Sequence, residues 1–524
     1  MAQPFLFQFQ PGVQRDSTEL DSNSALEAIW CRWRIGRPRK MGGYQEVTAA
    51  LNGLPRRIHC YYTGDKVYAH VGTTAGIQQV VMDRLGNLVS INDRTPPGFV
   101  GGSQAGFTMD ALFDTTSDVV QLIVHVAQDM LNLPNAEGSV PFIGPITSSA
   151  ILAPLTAPTS LDGGTYTSPD IAGGIVAVQP YLFGFDNAGH VLWSPPNAPN
   201  SLGLTGGTSG AGSARVSAQK IVQGFPLRGG GGQAPAAVFW SLSEVITASF
   251  VGQDNGIFKF NTVSPSSSIL SSDCVIEYDG LYFWAGIDRF MVFNGTVTEV
   301  PNTYNQDFFF DNLTEGQEAK AFAFKVPRFG EIWWCAPLFG SEEPNWAIIF
   351  NLRENCWYDT PLPDVGRACG FYAQGFRYPL MGDVERTSTG YRLWLHEKGT
   401  DKVTADADDA IDSSFTTPWL GAQQSDQPSD QGMSLEQLEL DIQQSGDMTA
   451  QLFTRANAKA PTVEGPTVSV PLIPATVQEQ LSSFTPRQPG RQVKVKLRSA
   501  VRGGNYMFGR SLGHATPADA RRTS

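Results

Sequence analysis

The sequence predicts an all-β protein, and three observations lead to that prediction. The chain of 524 residues holds 54 glycines and 35 prolines, so turn-forming residues are abundant. Only 17% of its residues are charged, against roughly 25% in ordinary soluble proteins, and this composition excludes long helical bundles and coiled coils. Short runs of β-branched and aromatic residues alternate with turns along most of the chain. With 41% hydrophobic residues, the chain is also able to bury a large core, which excludes global disorder.

The first 43 residues are predicted to form an N-terminal arm. They show few evident core residues and end in a basic run that includes Arg37, Arg39 and Lys40. Two interpretations are open, a solvated segment or a strap that lies over a neighbouring subunit. In the second interpretation, these three side chains are contacts between subunits.

Residues 44–420 are predicted to form six or seven four-stranded antiparallel units. The first clear unit spans 57–91, where four short apolar runs are separated by Gly, Asn and Asp turns. The clearest unit spans 274–300, and its Asp-Gly and Asn-Gly turns are the strongest short-range signals of a β-hairpin. A series of such units is typical of a β-propeller, so the fold predicted for this region is a six- or seven-bladed propeller.

The predicted units are longer than a typical blade of about 40–50 residues, so inserted loops are expected. The Pro- and Gly-rich composition places these loops at 129–158, 201–213 and 228–232. Residues 307–320 are predicted to form a short helix.

Residues 421–524 are predicted to begin with a polar linker and to continue as a small β-sandwich with a basic tail. The stretch 493–497 alternates valine or leucine with lysine, as a half-buried strand does. Charge is segregated, because 401–447 contains eleven acidic residues and one lysine, whereas 487–524 contains nine basic residues and one aspartate. Either both regions are solvated faces, or the basic tail of one subunit, including Arg491 and Arg498, meets an acidic face on the next.

The overall charge and the cysteines limit the class of protein. A net charge of −13 disfavours general binding to nucleic acid or to anionic membranes, since both depend on Lys and Arg. The six cysteines are scattered without a C-x-x-C pair, which predicts reduced, mostly buried thiols. The sequence shows no apolar run of 18 residues and no signal-peptide pattern, so neither a membrane span nor secretion is expected.

Motifs of catalysis and of ligand binding are not evident in the sequence. The six histidines form no zinc-protease motif, and neither a nucleophile elbow nor a phosphate-binding loop is present. We therefore predict no catalytic residue, no cofactor and no metal. An acidic cluster, Asp406, Asp408, Asp409 and Asp412, lacks the glycine and the final glutamate of an EF-hand loop and is interpreted as a solvated loop.

An alternative function rests on paired carboxylates, which propeller glycosidases use in the central funnel. Glu277, Asp279, Asp288 and Glu331 lie in or beside predicted strands and are the candidates for that role. Each also has an ordinary role as a turn residue or as a charge at the end of a strand.

The stretch 274–361 resembles a known family. Its most specific run is Phe-Gly-Glu-Ile-Trp-Trp at 329–334, and 279–295, 305–312 and 346–358 add weaker matches. Together with 61–93, these residues resemble the tail hub or nozzle proteins of short-tailed bacteriophages, the packaged-DNA stabilisation and tail tubular protein B group. A receptor-binding tail protein and a glycan hydrolase remain alternatives.

The resemblance implies a structural, non-enzymatic protein of the virion tail, assembled in the cytoplasm of the bacterial host. It implies a homohexameric ring of propellers that retains packaged DNA and opens for genome ejection. Its partners would be the tail adaptor and portal-proximal proteins and a tail fibre or needle. Double-stranded DNA would pass through the channel without specific binding, and the inserted loops are the expected gates.

The residues of the resembling stretch are expected to build the core of one blade. In a strand that begins at residue 331, Ile332 and Trp334 should share one face because side chains alternate. The expected core residues are Gly330, Glu331, Trp333, Trp334, Asn351 and Trp357, with Trp346 beside them.

Overall fold

A computed structural model gives the fold of the chain. It describes residues 3–99, 101, 106–127, 141–155, 173–202, 210–227, 234–252, 256–421, 423–424, 427–428, 432–473 and 482–518. The N-terminal segment, residues 1–43, contributes six strands: β1 (Gln3–Phe7), β2 (Gln10–Val13), β3 (Ser24–Ala25), β4 (Glu27–Ile29), β5 (Cys31–Arg34) and β6 (Arg37–Lys40). Strand β7 (Tyr44–Leu51) follows it.

Six four-stranded antiparallel sheets follow in chain order, and each is one blade. Blades 1 to 3 comprise β8 (Pro55–Thr63), β9 (Lys66–Thr73), β10 (Gly76–Asp83), β11 (Leu88–Asp93); β12 (Gly106–Asp114), β13 (Val119–Ala127), β14 (Phe142–Pro145), β15 (Ala153–Pro154); and β16 (Gly174–Val178), β17 (Tyr181–Phe185), β18 (His190–Trp193), β19 (Gly212–Arg215). Blades 4 to 6 comprise β20 (Ile221–Pro226), β21 (Ala236–Ser241), β22 (Val245–Gly252), β23 (Ile257–Ser264); β24 (Val275–Tyr278), β25 (Leu281–Ala285), β26 (Phe290–Phe293), β27 (Val297–Glu299); and β28 (Phe322–Val326), β29 (Glu331–Ala336), β30 (Trp346–Asn351), β31 (Cys356–Pro361).

Blade 7 is built from both ends of the propeller region. Its strands β32 (Arg367–Phe371), β33 (Leu380–Arg386) and β34 (Tyr391–His396) are completed by the N-terminal β7, which pairs antiparallel with β34. Two short strands, β35 (Lys402–Val403) and β36 (Asp408–Asp409), extend the sheet beyond β7. The first strand of blade 7 contacts the first strand of blade 1, so the seven sheets close into a ring. The predicted propeller is therefore confirmed, with seven blades.

A short α-helix, α1 (Gln306–Asp311), lies between blades 5 and 6, and 3₁₀ turns occur among the described residues at Pro199–Ser201 and Glu318–Lys320. The helix predicted within 307–320 is thus shorter than expected. The predicted loop at 228–232 lies outside the described residues, as do 129–140 and 156–158 of the loop at 129–158 and 203–209 of the loop at 201–213. The prediction of a loop is wrong for 141–155, because this stretch contains β14 and β15 of blade 2, and the loop predicted at 201–213 ends where β19 begins.

The remaining strands form a second β unit: β37 (Ser413–Thr416), β38 (Leu420–Gly421), β39 (Gln423–Gln424), β40 (Gln427–Pro428), β41 (Gly432–Glu439), β42 (Ile442–Gln444), β43 (Met448–Arg455), β44 (Val463–Val470), β45 (Ser483–Phe484), β46 (Gln488–Gly490), β47 (Gln492–Ser499), β48 (Tyr506–Phe508) and β49 (Ser511–Ala518). Its two main sheets hold β41 with β49 and β43 with β47, and apolar side chains of both sheets share one core. The β-sandwich-like region is thereby confirmed. The stretch 493–497 alternates in burial as its sequence predicted.

The N-terminal segment is an integral part of the second unit, so the prediction of an arm with few core residues is wrong. Strand β1 pairs with β49, and β4 pairs with β37. Trp30, Trp33 and Cys31 are buried in the same core as the C-terminal strands. Sequence inspection missed this core because its apolar residues are spaced among turns and lie in strands of two to five residues.

Candidate functional site

The motif of the resembling stretch occupies β29 in blade 6. Its alternation sends Ile332 and Trp334 into the core shared with blade 5, and sends Trp333 and Cys335 into the core shared with the second unit. Strand β29 therefore has no solvent-exposed face. Its Trp333 face packs in a core that also holds Met381 and Trp394 of blade 7 and residues of the second unit.

The expected core residues of this blade are all buried except Trp346. Trp334 and Trp357 stack with ring centroids 5.8 Å apart, and Trp333 packs edge-on against Trp30 of the N-terminal segment at 6.1 Å. Trp346 is half-buried, and its indole N–H donates to Asp359 at 3.1 Å. These stacked rings supply much of the apolar contact area of blade 6.

Gly330 and Asn351 shape the two turns at one end of this blade. Gly330 has a φ of +76°, and a Cβ there would lie 2.6 Å from Cγ of Arg353, so the turn requires glycine. Asn351 is fully buried. Its amide nitrogen donates to the carbonyl of Trp33, and its side-chain oxygen accepts from the backbone N–H groups of Arg353 and Glu354.

Glu331 is the first residue of β29 and is fully buried. Its Oε1 lies 2.8 Å from Nε of Arg32 and accepts a 2.6 Å hydrogen bond from the Tyr358 hydroxyl. Its Oε2 accepts from Nη2 of Arg32 at 3.1 Å and from the indole N–H of Trp333 at 2.9 Å. The carboxylate thus accepts three hydrogen bonds and lies in an ion pair with Arg32, as a buried charge requires.

Arg32 joins three parts of the molecule. Besides Glu331, its guanidinium binds both oxygens of Glu397, which follows blade 7, at 2.6 and 2.5 Å. Its Cζ lies 3.8 Å from the centre of the Phe329 ring. We name Arg32, Glu331, Glu397, Trp333 and Tyr358 the joint, because these side chains link blade 6, blade 7 and the second unit.

Burial controls the electrostatics of the joint. It raises the pKa of Glu331 above the ordinary glutamate value, and the charge of Arg32 offsets this only in part. The pKa of the Tyr358 hydroxyl is raised by burial and by the neighbouring Glu331. Although burial opposes the charge of Arg32, the two carboxylates raise its pKa. Removing one partner would leave an uncompensated buried charge, which typically costs about 3–5 kcal/mol.

A second tie connects the N-terminal segment to blade 6. Arg15 binds Asp359 of β31 with Nε at 3.1 and 3.0 Å and Nη2 at 2.8 Å from the carboxylate oxygens. Asp16 accepts from the backbone N–H groups of Asp307 and Phe308 at the start of α1. The segment therefore straps its own propeller, and the strap over a neighbouring subunit stays a prediction.

The carboxylates considered for a glycosidase do not share an open site. Glu331 is buried within the joint, whereas Asp288 is exposed and pairs with its neighbour Arg289. Glu277 binds Lys325 at 3.0 Å and accepts from Gly280 N–H, and Asp279 forms the adjoining turn with a φ of +50°. Their burial and ion pairing fit structural roles.

The charged residues considered as subunit contacts fall into two groups. Lys40 is buried and its ammonium donates to the carbonyl of Gly504 at 2.8 Å, so it is unavailable to another subunit and that prediction is wrong. Arg498 pairs with Asp412 at 2.8 and 2.9 Å in its own chain. Arg37, Arg39 and Arg491 are half-buried, and their predicted role remains a prediction.

The acidic stretch predicted as a solvated loop is in contact with the basic C-terminal stretch of the same chain. Arg502 pairs with Asp408, and Asp401 accepts from the backbone N–H of Gly503 at 2.9 and 2.8 Å. We name these contacts, with the Arg498–Asp412 pair, the C-terminal seam. Part of the charge segregation seen in the sequence is thus neutralised within one subunit.

The cysteines, possible metal ligands and helices of the described residues were considered as further functional features. All six cysteines are free thiols, and burial raises the pKa of Cys31 and Cys369 to about 12, which makes them poor nucleophiles. Among the described residues, no group of His, Cys, Asp or Glu is arranged to hold a metal ion. In the same part of the chain, no helix has both the length and the apolar character of a membrane span.

Sequence reasoning identified Glu331 but missed its partners. Arg32 is 299 residues away in the chain and Glu397 is 365 residues from Arg32, so no local pattern connects them. One signal was present, because a glutamate that opens a strand of otherwise apolar residues requires a cation. The basic run at the end of the N-terminal segment was the nearest source of that cation.

Comparison with known proteins adds two structural likenesses. No protein-family model and no curated protein sequence matches the chain. The chain is similar to the β-propeller domain of Cps50 (Swd1) from Myceliophteria thermophila, with a TM-score of 0.32, 9% sequence identity, and coverage of 67% of this chain and 99% of that chain. It is also similar to the computationally designed protein Ika8, with a TM-score of 0.31, 11% identity, and the same coverages. These values carry no functional argument, and the closed ring of seven sheets itself establishes the propeller.

Proposed function

We propose that this chain is a structural subunit of a short phage tail, forming the hub or nozzle as a homohexameric ring. The ring surrounds the DNA channel, retains the packaged genome and opens for ejection. The adaptor side of the tail and a fibre or needle are its protein neighbours.

The joint is the observation that carries this proposal. The run that resembles the tail family, 329–334, supplies Glu331 and Trp333 to the contact between the propeller and the second unit. Subunits of a tail wall must transmit load between neighbours without opening internally. A buried ion-pair network enclosed by aromatic rings suits such a role, because a packed interior has low compressibility.

The remaining candidate chemistry fits the same conclusion. The carboxylates that a glycosidase would need are separated by burial and ion pairing, and the cysteines have raised pKa values. A wall protein that DNA slides past needs a stiff body and no tight sequence-specific grip, and the net charge of −13 is compatible with sliding.

Imaging and mass spectrometry of virions test the proposal. Peptides of this chain should be present in purified particles, and averaged cryo-EM images of the tail should show propellers in sixfold rings at its distal end. Phage carrying Arg32→Ala should yield particles that lack this ring or lose DNA. Arg289→Ala is the matched control, since it removes an exposed arginine from blade 5. Particles without the chain, or a trimer at the tip, would refute the proposal.

A further inference from the structure

The hairpin β5–β6 gathers arginines on one face. Its register pairs Arg32 with Arg39 and Arg34 with Arg37. Directly paired residues of an antiparallel hairpin point to the same side, and so do residues two apart in one strand. The hairpin therefore presents four guanidinium groups on one face, of which Arg32 alone is used by the joint.

Two turns of blade 6 bring further arginines to the same place. Glu354 accepts from the backbone N–H groups of Ile35 and Gly36 at 2.7 and 2.8 Å, which fixes the hairpin tip on the β30–β31 turn. Arg353 donates to the carbonyls of Arg328 and Pro327, both at 2.7 Å, which ties that turn to the β28–β29 turn.

The ring of Phe329 lies at the centre of this group. The Cζ atoms of Arg328 and Arg34 lie 5.2 and 5.9 Å from its centroid. We name Arg34, Arg37, Arg39, Arg328 and Arg353 the arginine face.

The arginine face has no directly paired carboxylate among the described residues, although Glu397 of the joint acts on Arg39 from a distance. Within the described parts of the chain, none of its five members is ion-paired, and Glu354 is bound to backbone N–H groups of the hairpin. Arg34, Arg328 and Arg353 are exposed, and Arg37 and Arg39 are half-buried. Burial, together with the charges of Arg34, Arg32 and Arg328, lowers the pKa of Arg39. Like charges opposed across a hairpin are destabilising, so this arrangement costs stability unless an anion binds it.

The counter-anion is not found in the obvious acidic region of the chain. Asp401, Asp408 and Asp412 of that region are already engaged in the C-terminal seam. A second copy of the subunit would thus present these three carboxylates already neutralised, with Asp406 and Asp409 exposed beside them. Arginine, unlike lysine, offers a planar set of donors that matches a phosphate group. Five arginines with no lysine among them favour phosphate as the partner.

We propose that the arginine face binds the phosphodiester backbone of double-stranded DNA. This inference rests on the proposed function, which places duplex DNA beside the subunit, and it assigns the contact to one surface. Contacts to phosphates carry no sequence information, so the binding is non-specific. It is also salt-dependent, because each neutralised phosphate releases counterions. Since the rest of the chain is acidic, the contact guides DNA and does not clamp it.

Fluorescence anisotropy of the full chain with a labelled duplex of about 30 base pairs, measured across a salt series, tests the proposal. The test variant carries Arg34→Gln, Arg37→Gln and Arg328→Gln. The control carries Arg289→Gln, Arg498→Gln and Arg502→Gln, which removes the same charge from exposed, ion-paired arginines elsewhere. The test variant should bind at least about tenfold more weakly, and its log K–log salt slope should become shallower by about 2–3. The control should stay close to the wild type.

Three further readouts complete the test. Circular dichroism and thermal melting verify folding, and a variant with Lys at the same three positions replaces the Gln variant if the latter fails to fold. The Lys variant should keep the salt slope and lose affinity. An equal loss of DNA affinity in the test and control variants would overturn the proposal. Unchanged DNA binding with altered sedimentation of the test variant would also overturn it, because the surface would then be a contact between subunits. If the chain is absent from virions but still binds DNA through these arginines, only the proposed function is refuted.

Discussion

The joint and the C-terminal seam are both networks of arginine and carboxylate, yet they differ in burial. In the joint, the side chains of Arg32 and Glu331 are 1% and 0% exposed. In the seam, those of Arg498 and Asp412 are 51% and 46% exposed. Distances are similar, near 2.8 Å, so geometry does not separate them. Exposure to solvent separates them, because an unpaired charge lowers the stability of the fold far more when it is buried than when it is exposed.

The largest expected effect comes from breaking the joint. Arg32→Ala leaves the carboxylates of Glu331 and Glu397 without their shared cation and should reduce the free energy of unfolding by about 3–5 kcal/mol. Chemical denaturation measures it. Arg32→Lys restores a charge without the fork geometry and should recover only part of the loss. A change under about 1 kcal/mol for Arg32→Ala would mean that the joint behaves like a surface pair.

A somewhat smaller effect is expected at the second tie. Asp359 is fully buried and Arg15 is partly exposed. In Arg15→Ala, water can therefore enter from the exposed side and partly solvate the Asp359 carboxylate. We expect a loss of about 2–3 kcal/mol, and faster proteolysis of the N-terminal segment. Ser17→Ala, at a half-buried neighbouring position that makes only a local hydrogen bond, is the control. Equal protease sensitivity of both variants would contradict a strapping role.

The next effect concerns pH and also lies beside the joint. His396 accepts a 3.2 Å hydrogen bond from Arg367 and packs on Trp30, and burial holds its pKa well below the ordinary value near 6.5. The unfolded chain therefore binds a proton that the folded chain does not, as pH falls below about 6.5. Stability should fall with decreasing pH, by at most about 1.4 kcal/mol per pH unit for this residue.

Thermal melting of the wild type and of His396→Gln between pH 7 and pH 5 measures this contribution. Glutamine keeps an acceptor for Arg367 but does not titrate, so the variant should show a flatter dependence. His59, whose pKa is lowered to about 4 by burial and by Arg57, adds a separate acid-dependent loss that the variant retains. Identical pH dependence of the melting temperature in the wild type and in His396→Gln would show that His396 does not contribute.

The smallest effect is expected in the seam. Asp412→Asn removes an exposed partner of Arg498 and should change the free energy of unfolding by less than about 1 kcal/mol, with the difference vanishing in high salt. Denaturant titrations at low and high salt measure this. A loss comparable to that of Arg32→Ala would erase the distinction between the two networks.

Local sequence signals predicted the blades, whereas contacts between residues far apart in the chain could not be predicted from the sequence. The turn at Asp279 and Gly280 predicted its hairpin because both residues adopt positive φ there. The Pro- and Gly-rich composition of 129–158 predicted a loop where β14 and β15 of blade 2 lie. The joint was invisible since Arg32 and Glu331 meet only after the propeller has closed. Lys40 was misassigned because a basic run gives no information on which of its members is buried.

The construction of blade 7 means that the propeller can close only late in the synthesis of the chain. Strand β7 has its antiparallel partner in β34, and the pair Glu46 and Arg392 are 346 residues apart in the chain. A ribosome adding roughly 5–20 residues per second leaves β7 without that partner for about 20–70 s. During this interval, six blades emerge while the ring stays open. A chaperone that shields the edge of β7 would act in that window, and the last blade would close the circle only when it released the strand.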